Sequence, residues 1–348
     1  MIRRHPTGPA LRARALVLAA LLAVTAMAAC GRGDTGATES SLTVYSGRSE
    51  ELVGPLFAQF TEQTGIRVNA RYGDSAELAA QLVEEGDRSP AQVFFAQDAG
   101  ALGSVEAAGL FAPLPEAAAA AVPADYRATN GTWTGITGRA RVIVYDPEQV
   151  AADQVPRRVA DLTDPRWRSQ VAIAPTNASF QAFVTAMRIA DGDDDARKWL
   201  EGMVANDAQR YEKNGLILDA VDAGQAELGL INHYYWYEKA AEVGESKMRS
   251  RIAFTAPGDP GSLVNVAGAG ILKPAGNNKA AAEFVDWLLS PDAQRWFVAN
   301  TYEYPLLPNI PPAEGLPPLD SLRGPDVSLA DLDSLPATLA MLENVGLL

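Results

Sequence analysis

The stretch "TWTGITGRARVIVYDP" (Thr132–Pro147) decides how the chain is to be read. It is rich in β-branched and aromatic residues and longer than an ordinary strand. It follows an alanine-rich, proline-punctuated segment, 113–125, and interrupts a regular alternation that precedes it. That alternation begins with "SLTVYSG" (41–47), a strand. In "SEELVGPLFAQFTEQTG" (49–65), Leu52, Leu56, Phe57 and Phe60 then fall at helical spacing and Gly65 closes the helix. A strand, "IRVNARYG", a helix opened by an Asp74/Glu77 capping box, a strand, "AQVFFAQ", and a helix, "DAGALGSVEAAG", follow. Strand and helix in alternation specify a parallel sheet covered on both faces. Thr132–Pro147 is therefore read as the strand on which the chain leaves one lobe for a second.

The second lobe repeats the α/β theme. Helical "VADLTDPRW" precedes the strand "QVAIAP", the helices "SFQAFVTAMRIADG" and "DARKWLEGMVAN", a helix over 216–224, and the strand "AELGLIN". After the helix "YYWYEKAAEVG", the β-rich run 251–274 should return the chain to the first lobe. Two helices split near Pro291, a proline-rich passage (305–318) and a last helix near 336–346 complete it. The expected fold is α/β with two discontinuous lobes, an interlobe cleft and hinge strands. Lobe 1 takes 41–137 and 263–311; lobe 2 takes 138–262 and 312–348. A cleft between such lobes is a natural small-ligand site.

Composition narrows the class. The chain has 348 residues, 47% of them apolar, enough for a substantial core. Its formal net charge of -14 argues against a nucleic-acid partner, which requires lysine and arginine stripes. Arg3, Arg4, Arg12 and Arg14 precede the apolar run Ala15–Ala29, which is too short to span a bilayer. The run ends in "MAAC" at Cys30, the only cysteine. Residues 1–29 thus read as a lipoprotein signal peptide, Cys30 as the lipidated residue and 30–40 as a flexible tether. With four arginines and no acid removed, the mature charge falls from -14 to -18. The protein should sit at the outer face of the cytoplasmic membrane, held by a lipid anchor.

Catalysis lacks its parts. The mature chain has one histidine and no thiol beyond Cys30, and no GxSxG, HExxH, Walker A or GxGxxG pattern occurs. Capture of a small ligand by hinge closure fits better than an enzyme.

Three strand-to-helix junctions mark the cleft. In "IAPTNASFQ", Asn177 and Ser179 stand where free backbone N–H groups suit an anion or, equally, where a plain N-cap would stand. In "EKNGLI", Asn214 occupies a turn. In "INHYYWY", Tyr234 and Tyr235 enter a helix whose terminus falls at Asn232 or His233. Neighbours in a first helical turn can both reach one cleft. The helix terminus favours phenolate, but only a strong positive partner brings a phenol from its usual pKa of about 10 to ionisation near neutrality. Two phenolates are hard oxygen donors and match a hard trivalent cation, ferric iron above all.

With these residues in view, the chain resembles the ferric-ion-binding proteins of bacterial ABC importers, which have the type II periplasmic binding protein fold. The resemblance rests on "LTVYSGR", "QLVEEGDRSPAQVFF", "GRARVIVYDP", "INHYYWY", "DPGSLV" and "EYPLL", in order over nearly all the mature chain. It implies Tyr234 and Tyr235 as iron ligands. It also implies a synergistic anion, phosphate or carbonate, held by Asn177, Ala178 and Ser179 with Asn214 and Asn232 nearby, and Arg139 of the "GR-x-R" strand either touching that anion or forming a hinge salt bridge. Partners implied are a permease and its ATPase, with the binding protein itself a monomer. The chain also departs from the family pattern. Ser49 stands where some members have a histidine ligand, Gln97 where they have a glutamate, and Phe180 where other subgroups have a tyrosine. Asp98, beside Gln97, is the candidate replacement ligand, and His233 is a possible cleft residue. The same fold binding thiamine, a polyamine or an organic anion, or a surface enzyme or sensor lipoprotein, are the alternatives.

Overall fold

The structure, a computed structural model, describes residues 41–329, 332 and 334–348. The signal peptide, Cys30 and the tether lie outside the described residues. Among the described residues, no helix is long and apolar enough to cross a membrane.

The first half is the parallel α/β arrangement expected from the alternation. Strands β1 (Ser41–Ser46), β2 (Arg67–Tyr72) and β3 (Val93–Ala96) run parallel in the order β2-β1-β3. Between them lie α1 (Glu50–Thr64) and α2 (Ser75–Glu85), and α3 (Ala99–Ala107) and α4 (Glu116–Ala120) follow. Local chemistry sets these boundaries. The Asp74 carboxylate accepts the Ala76 and Glu77 N–H groups at the head of α2, and Gly65 ends α1 at φ 74°.

Thr132–Pro147 yields β4 (Trp133–Tyr145), thirteen residues and all of them buried. Its first part, Trp133–Ala140, pairs with β9 (Val264–Ile271), and Thr137 and Gly138 also pair with β10 (Tyr304–Pro305). From Arg141 to Tyr145 it pairs instead with β7 (Leu228–Asn232), and its end also pairs with β8 (Arg251–Ala253). One strand thus serves two neighbourhoods, with the handover between Ala140 and Arg141. The chain returns through β9, which pairs with β3 as well.

Beyond the handover, β5 (Val171–Ile173) and β6 (Gln209–Arg210) extend the sheet, and side-chain parity sorts its two faces. Ile143, Ile173 and Leu230 point to one side, where Phe180, Phe183, Trp199 and Met341 come from α5 (Ala178–Asp191), α6 (Asp193–Ala205) and the C-terminal α11 (Leu335–Asn344). Val142, Val144, Ala172 and Ile231 point to the other, against α7 (Asn214–Asp222) and α8 (His233–Val243). The first half has its own core. There Phe57, Phe60 and Phe284 meet edge to face, with α9 (Lys279–Leu288) and α10 (Pro291–Thr301) packed beside β9 and α1.

Two sequence expectations change in detail. "VADLTDPRW" forms two short 3₁₀ turns, Val159–Thr163 and Pro165–Trp167, because Pro165 splits the segment. The β-rich run 251–274 is two strands separated by a turn at Pro260–Ser262.

Candidate functional site

An open cleft of about 470 Å³ lies where strands of both halves end. Asp74 and Gln97 of the first half face Thr176, Asn177, Ala178, Lys213 and Tyr235 of the second. Gly47 permits close packing on the first side. A Cβ there would lie 1.9 Å from the Ser75 hydroxyl oxygen, which accepts the Gln97 N–H at 2.8 Å.

β7 delivers the chain into α8, so that Tyr234 and Tyr235 stand at a helix N-terminus. Their rings stack on one another, with centroids 4.4 Å apart and planes 26° from parallel. Tyr235 is half-buried and lines the cleft, whereas Tyr234 is buried. Burial drives the Tyr234 phenol well above its ordinary pKa; a charge on Tyr235 adds to this, while Arg139 and Arg48 oppose it. Tyr234 therefore needs a strong cation to become phenolate.

His233 is a structural residue. The Ala140 N–H donates to its Nδ1 at 3.1 Å, which leaves the proton on Nε2 to donate to the Tyr302 carbonyl at 2.8 Å. Burial holds it neutral, with a pKa lowered to about 4. Both nitrogens are engaged with the backbone.

The junction at Asn177 is a network. Asn177 accepts the Ser179 N–H at 3.1 Å and the Ser179 hydroxyl at 2.5 Å, capping α5. Asn214 Nδ2 donates to Ser179 Oγ at 3.0 Å. Its buried Oδ1 has no hydrogen-bond partner. Asn232 leaves α8 uncapped and accepts from Arg141 Nη1 at 3.3 Å. Arg141 also donates to Ser179 Oγ at 3.1 Å and lies over the Phe180 and Phe183 rings. Phe180 thus forms an aromatic floor under a guanidinium.

Arg139, two residues earlier on the same strand face, is 2% exposed. It lies 3.8 Å from Glu303, and none of its three guanidinium nitrogens makes a hydrogen bond. Glu303 sits just before β10. It accepts from Arg48 Nη1 at 2.8 Å and from the Thr137 hydroxyl at 2.9 Å. Burial would raise the Glu303 pKa, but Arg48 and Arg139 hold it below its ordinary value. For Arg139 the balance is reversed: burial first, and then Arg48, lower its pKa. Burial also brings Arg141 down to about 9.

The remaining sequence candidates separate. Asp98 is buried, and its Oδ1 accepts the Ala101 N–H at 2.9 Å as the cap of α3; burial raises its pKa and Arg139 counteracts this. Ser49 is exposed at the head of α1, where its side chain makes no capping bond. Three site residues escaped the sequence reading, namely Arg48, Arg141 and Glu303. A signal was present for each: Arg48 adjoins Ser49, Arg141 is the second arginine of "GRAR", and Glu303 opens "EYPLL". Among the described residues, no group of three or more histidine, cysteine, aspartate or glutamate side chains is placed to hold a metal ion.

Two lobes, a hinge strand and a cleft of this kind define an extracytoplasmic solute-binding protein of the type II periplasmic fold. The chain belongs to the bacterial extracellular solute-binding protein family, whose sequence pattern it matches over residues 89–321. The family transports solutes and is not enzymatic. An Fe(3+)-binding periplasmic protein of Serratia marcescens is 35% identical over 93% of this chain and 96% of its own length. The structure of iron-bound HitA from Pseudomonas aeruginosa superposes with a TM-score of 0.83 at 34% identity, covering 88% of this chain and 99% of that one. A Trichodesmium protein in complex with iron and citrate ligands superposes at 0.78 with 28% identity, covering 89% and 100%.

Proposed function

We propose that this protein captures ferric iron in the cleft, with Tyr234 and Tyr235 as phenolate ligands, and delivers it to an ABC permease driven by a cytoplasmic ATPase. The observation that carries this reading is the stacked phenol pair at the head of α8, facing buried guanidinium groups. Anionic oxygens held beside fixed positive charge bind a hard trivalent ion when an anion accompanies it. Asn177, Ala178, Ser179, Asn214 and Asn232 would hold that anion, phosphate or carbonate, together with Arg139. Asp98 is the first-lobe candidate ligand, although its capping bond must loosen for it to reach the metal. The buried arginines count against thiamine or a polyamine as cargo, since each would bring positive charge to them.

Within this reading the lobes meet near residues 137/138, 262/263 and 311/312, and closure about the handover in β4 brings Gln97 toward Tyr235. Cys30 carries the lipid that keeps the protein at the membrane, where it works as a monomer. The test is to titrate the purified protein with ferric iron plus phosphate or carbonate. A visible phenolate-to-iron charge-transfer band is expected, and Tyr234→Phe should shift or abolish it. An unchanged, colourless spectrum would reject iron as the cargo.

A further inference from the structure

The handover in β4 leaves a break in the sheet, and one side chain fills it. Along one edge of β4 the partner is β10 as far as Gly138 and β7 from Arg141 onward. Arg139 and Ala140 lie between them with no strand on that edge. Successive N–H groups of a strand point to opposite edges. Arg141 donates to the Leu263 carbonyl at 3.2 Å on the β9 side, so Ala140 faces the break. A buried backbone N–H needs a partner, and His233 supplies it, its Nδ1 accepting at 3.1 Å. Continued in register, with Tyr304 opposite Gly138, Tyr302 would stand opposite Ala140. The chain turns away there instead, because Tyr302 is left-handed at φ 53°, a conformation that bulky side chains rarely take. The imidazole occupies the place so opened, and its Nε2–H donates to the Tyr302 carbonyl at 2.8 Å.

The surroundings hold this arrangement in place. His233 is fully buried, and its ring centroid lies 4.9 Å from that of Tyr304. One turn along α8, Tyr237 stacks on Tyr302 with centroids 5.9 Å apart and planes 21° from parallel. The Tyr237 hydroxyl donates to the Gly315 carbonyl at 3.0 Å. A non-glycine residue at positive φ persists only where its neighbours over-determine it, and such strain gathers at switch regions. α8 thus grips the chain just before β10 at two points, and Tyr234 is the residue that follows His233. A turn of one half against the other about β4 must stretch the bond to Tyr302, since His233 moves with β7 and Tyr302 with β10. Hinges of this kind place their load on a few element-terminal residues.

We infer that His233 is the positioning residue of the hinge: bridging Ala140 and Tyr302, it fixes the resting angle between the halves and the place of the adjoining phenol pair. This rests on the reading of β4 as the hinge of a cargo-binding cleft. Asparagine at this position matches Nδ1 and keeps only the Ala140 bond, whereas glutamine matches Nε2 and keeps only the Tyr302 bond. His233→Asn and His233→Gln therefore cut the bridge at opposite ends. The full chain would carry Cys30→Ser, with Val83→Cys on α2 and Glu201→Cys on α6, both exposed, to take spin labels on the two halves. Pulsed electron spin resonance on the cargo-free protein should give one narrow interlabel distance, which each His233 variant broadens or splits. Each variant, loaded with ferric iron and phosphate, should also lose iron to a chelator about fivefold faster or more. Val184→Ala, in the second-lobe core, is the control for lost stability and should move neither readout. Tyr302→Gly frees the carbonyl to turn and breaks the same bridge without touching His233, which serves if both variants misfold. A distance distribution unchanged from the parent or matched by the core control overturns the inference, whatever the release rate. Failure of every protein to bind iron rejects the iron reading and leaves the distances to decide the hinge.

Discussion

The two walls of the cleft are made differently. The second-lobe wall is a set of helix N-termini and two phenols: α5, capped by Asn177, α7, which opens on Asn214 without a side-chain cap, and the uncapped α8 with Tyr234 and Tyr235. The hinge and first-lobe side is a buried ionic cluster, Arg48–Glu303–Arg139, tied to β4 and β10 and built around charge, not metal donors. Oxygen donors and backbone dipoles can hold a ligand in the open state, whereas a buried cluster contributes mainly through its field and the rigidity it gives the hinge. On the proposed reading, capture belongs to the second-lobe wall and electrostatic selection to the hinge side.

The largest expected effect breaks the ionic side. Glu303→Gln leaves two guanidiniums without their carboxylate, and stability should fall by about 3–5 kcal/mol, read by urea denaturation. A loss below about 1 kcal/mol would show the cluster to be solvated and dispensable. Next is the pH dependence of the hinge. His233 has a folded pKa of about 4, against about 6.5 unfolded. Its contribution is complete above the unfolded value, because the neutral ring is the buried form. As pH falls from about 6.5 to 4 the unfolded chain binds the proton first, and about 3 kcal/mol is lost. Glu303, with its pKa depressed, adds a second loss that begins below about 4.3. Denaturation midpoints across pH 4–7 should show the first loss, and His233→Gln should flatten it.

On the capture side, Tyr235→Phe should weaken iron at least tenfold, about 1.4 kcal/mol, with an unchanged circular dichroism spectrum and melting temperature. Because burial keeps the Tyr234 phenol protonated, binding must release its proton, so iron affinity should fall by up to about tenfold per pH unit lost. Pulse competition at two pH values reads this directly, and a flat profile would mean that Tyr234 binds as the neutral phenol or not at all. The smallest effect belongs to Ser49→Ala. Its exposed side chain makes no capping bond, and both stability and iron affinity should change by less than about 0.5 kcal/mol.

Much of this architecture was legible because it is periodic. The alternation from Ser41 to Ala107 placed three strands and their helices, and the length of Thr132–Pro147 revealed a strand shared between two neighbourhoods. The cap at Asn177 and the helix head at Tyr234 could be read too, since they are local, whereas Asn214, expected in a turn, is the first residue of α7. Arg48, Glu303 and Arg141 escaped because their meaning depends on partners far along the chain. Arg48 meets Glu303 across 255 positions, and Arg141 meets Ser179 and Asn232 across 38 and 91. His233 shows the same limit. Beside two phenols in sequence it is a plausible ligand, yet its ring is turned to the carbonyl of Tyr302, 69 residues away.

The sequence by itself determined most of the element order, the long strand shared between two neighbourhoods and the two phenols at a helix head, since period, capping and length are properties of neighbouring residues. Only the tertiary structure decided which charges surround those phenols. Desolvation and ion pairing depend on what is buried beside what, and β4, β10 and the end of β1 bring Arg139, Glu303 and Arg48 together only once the sheet has formed.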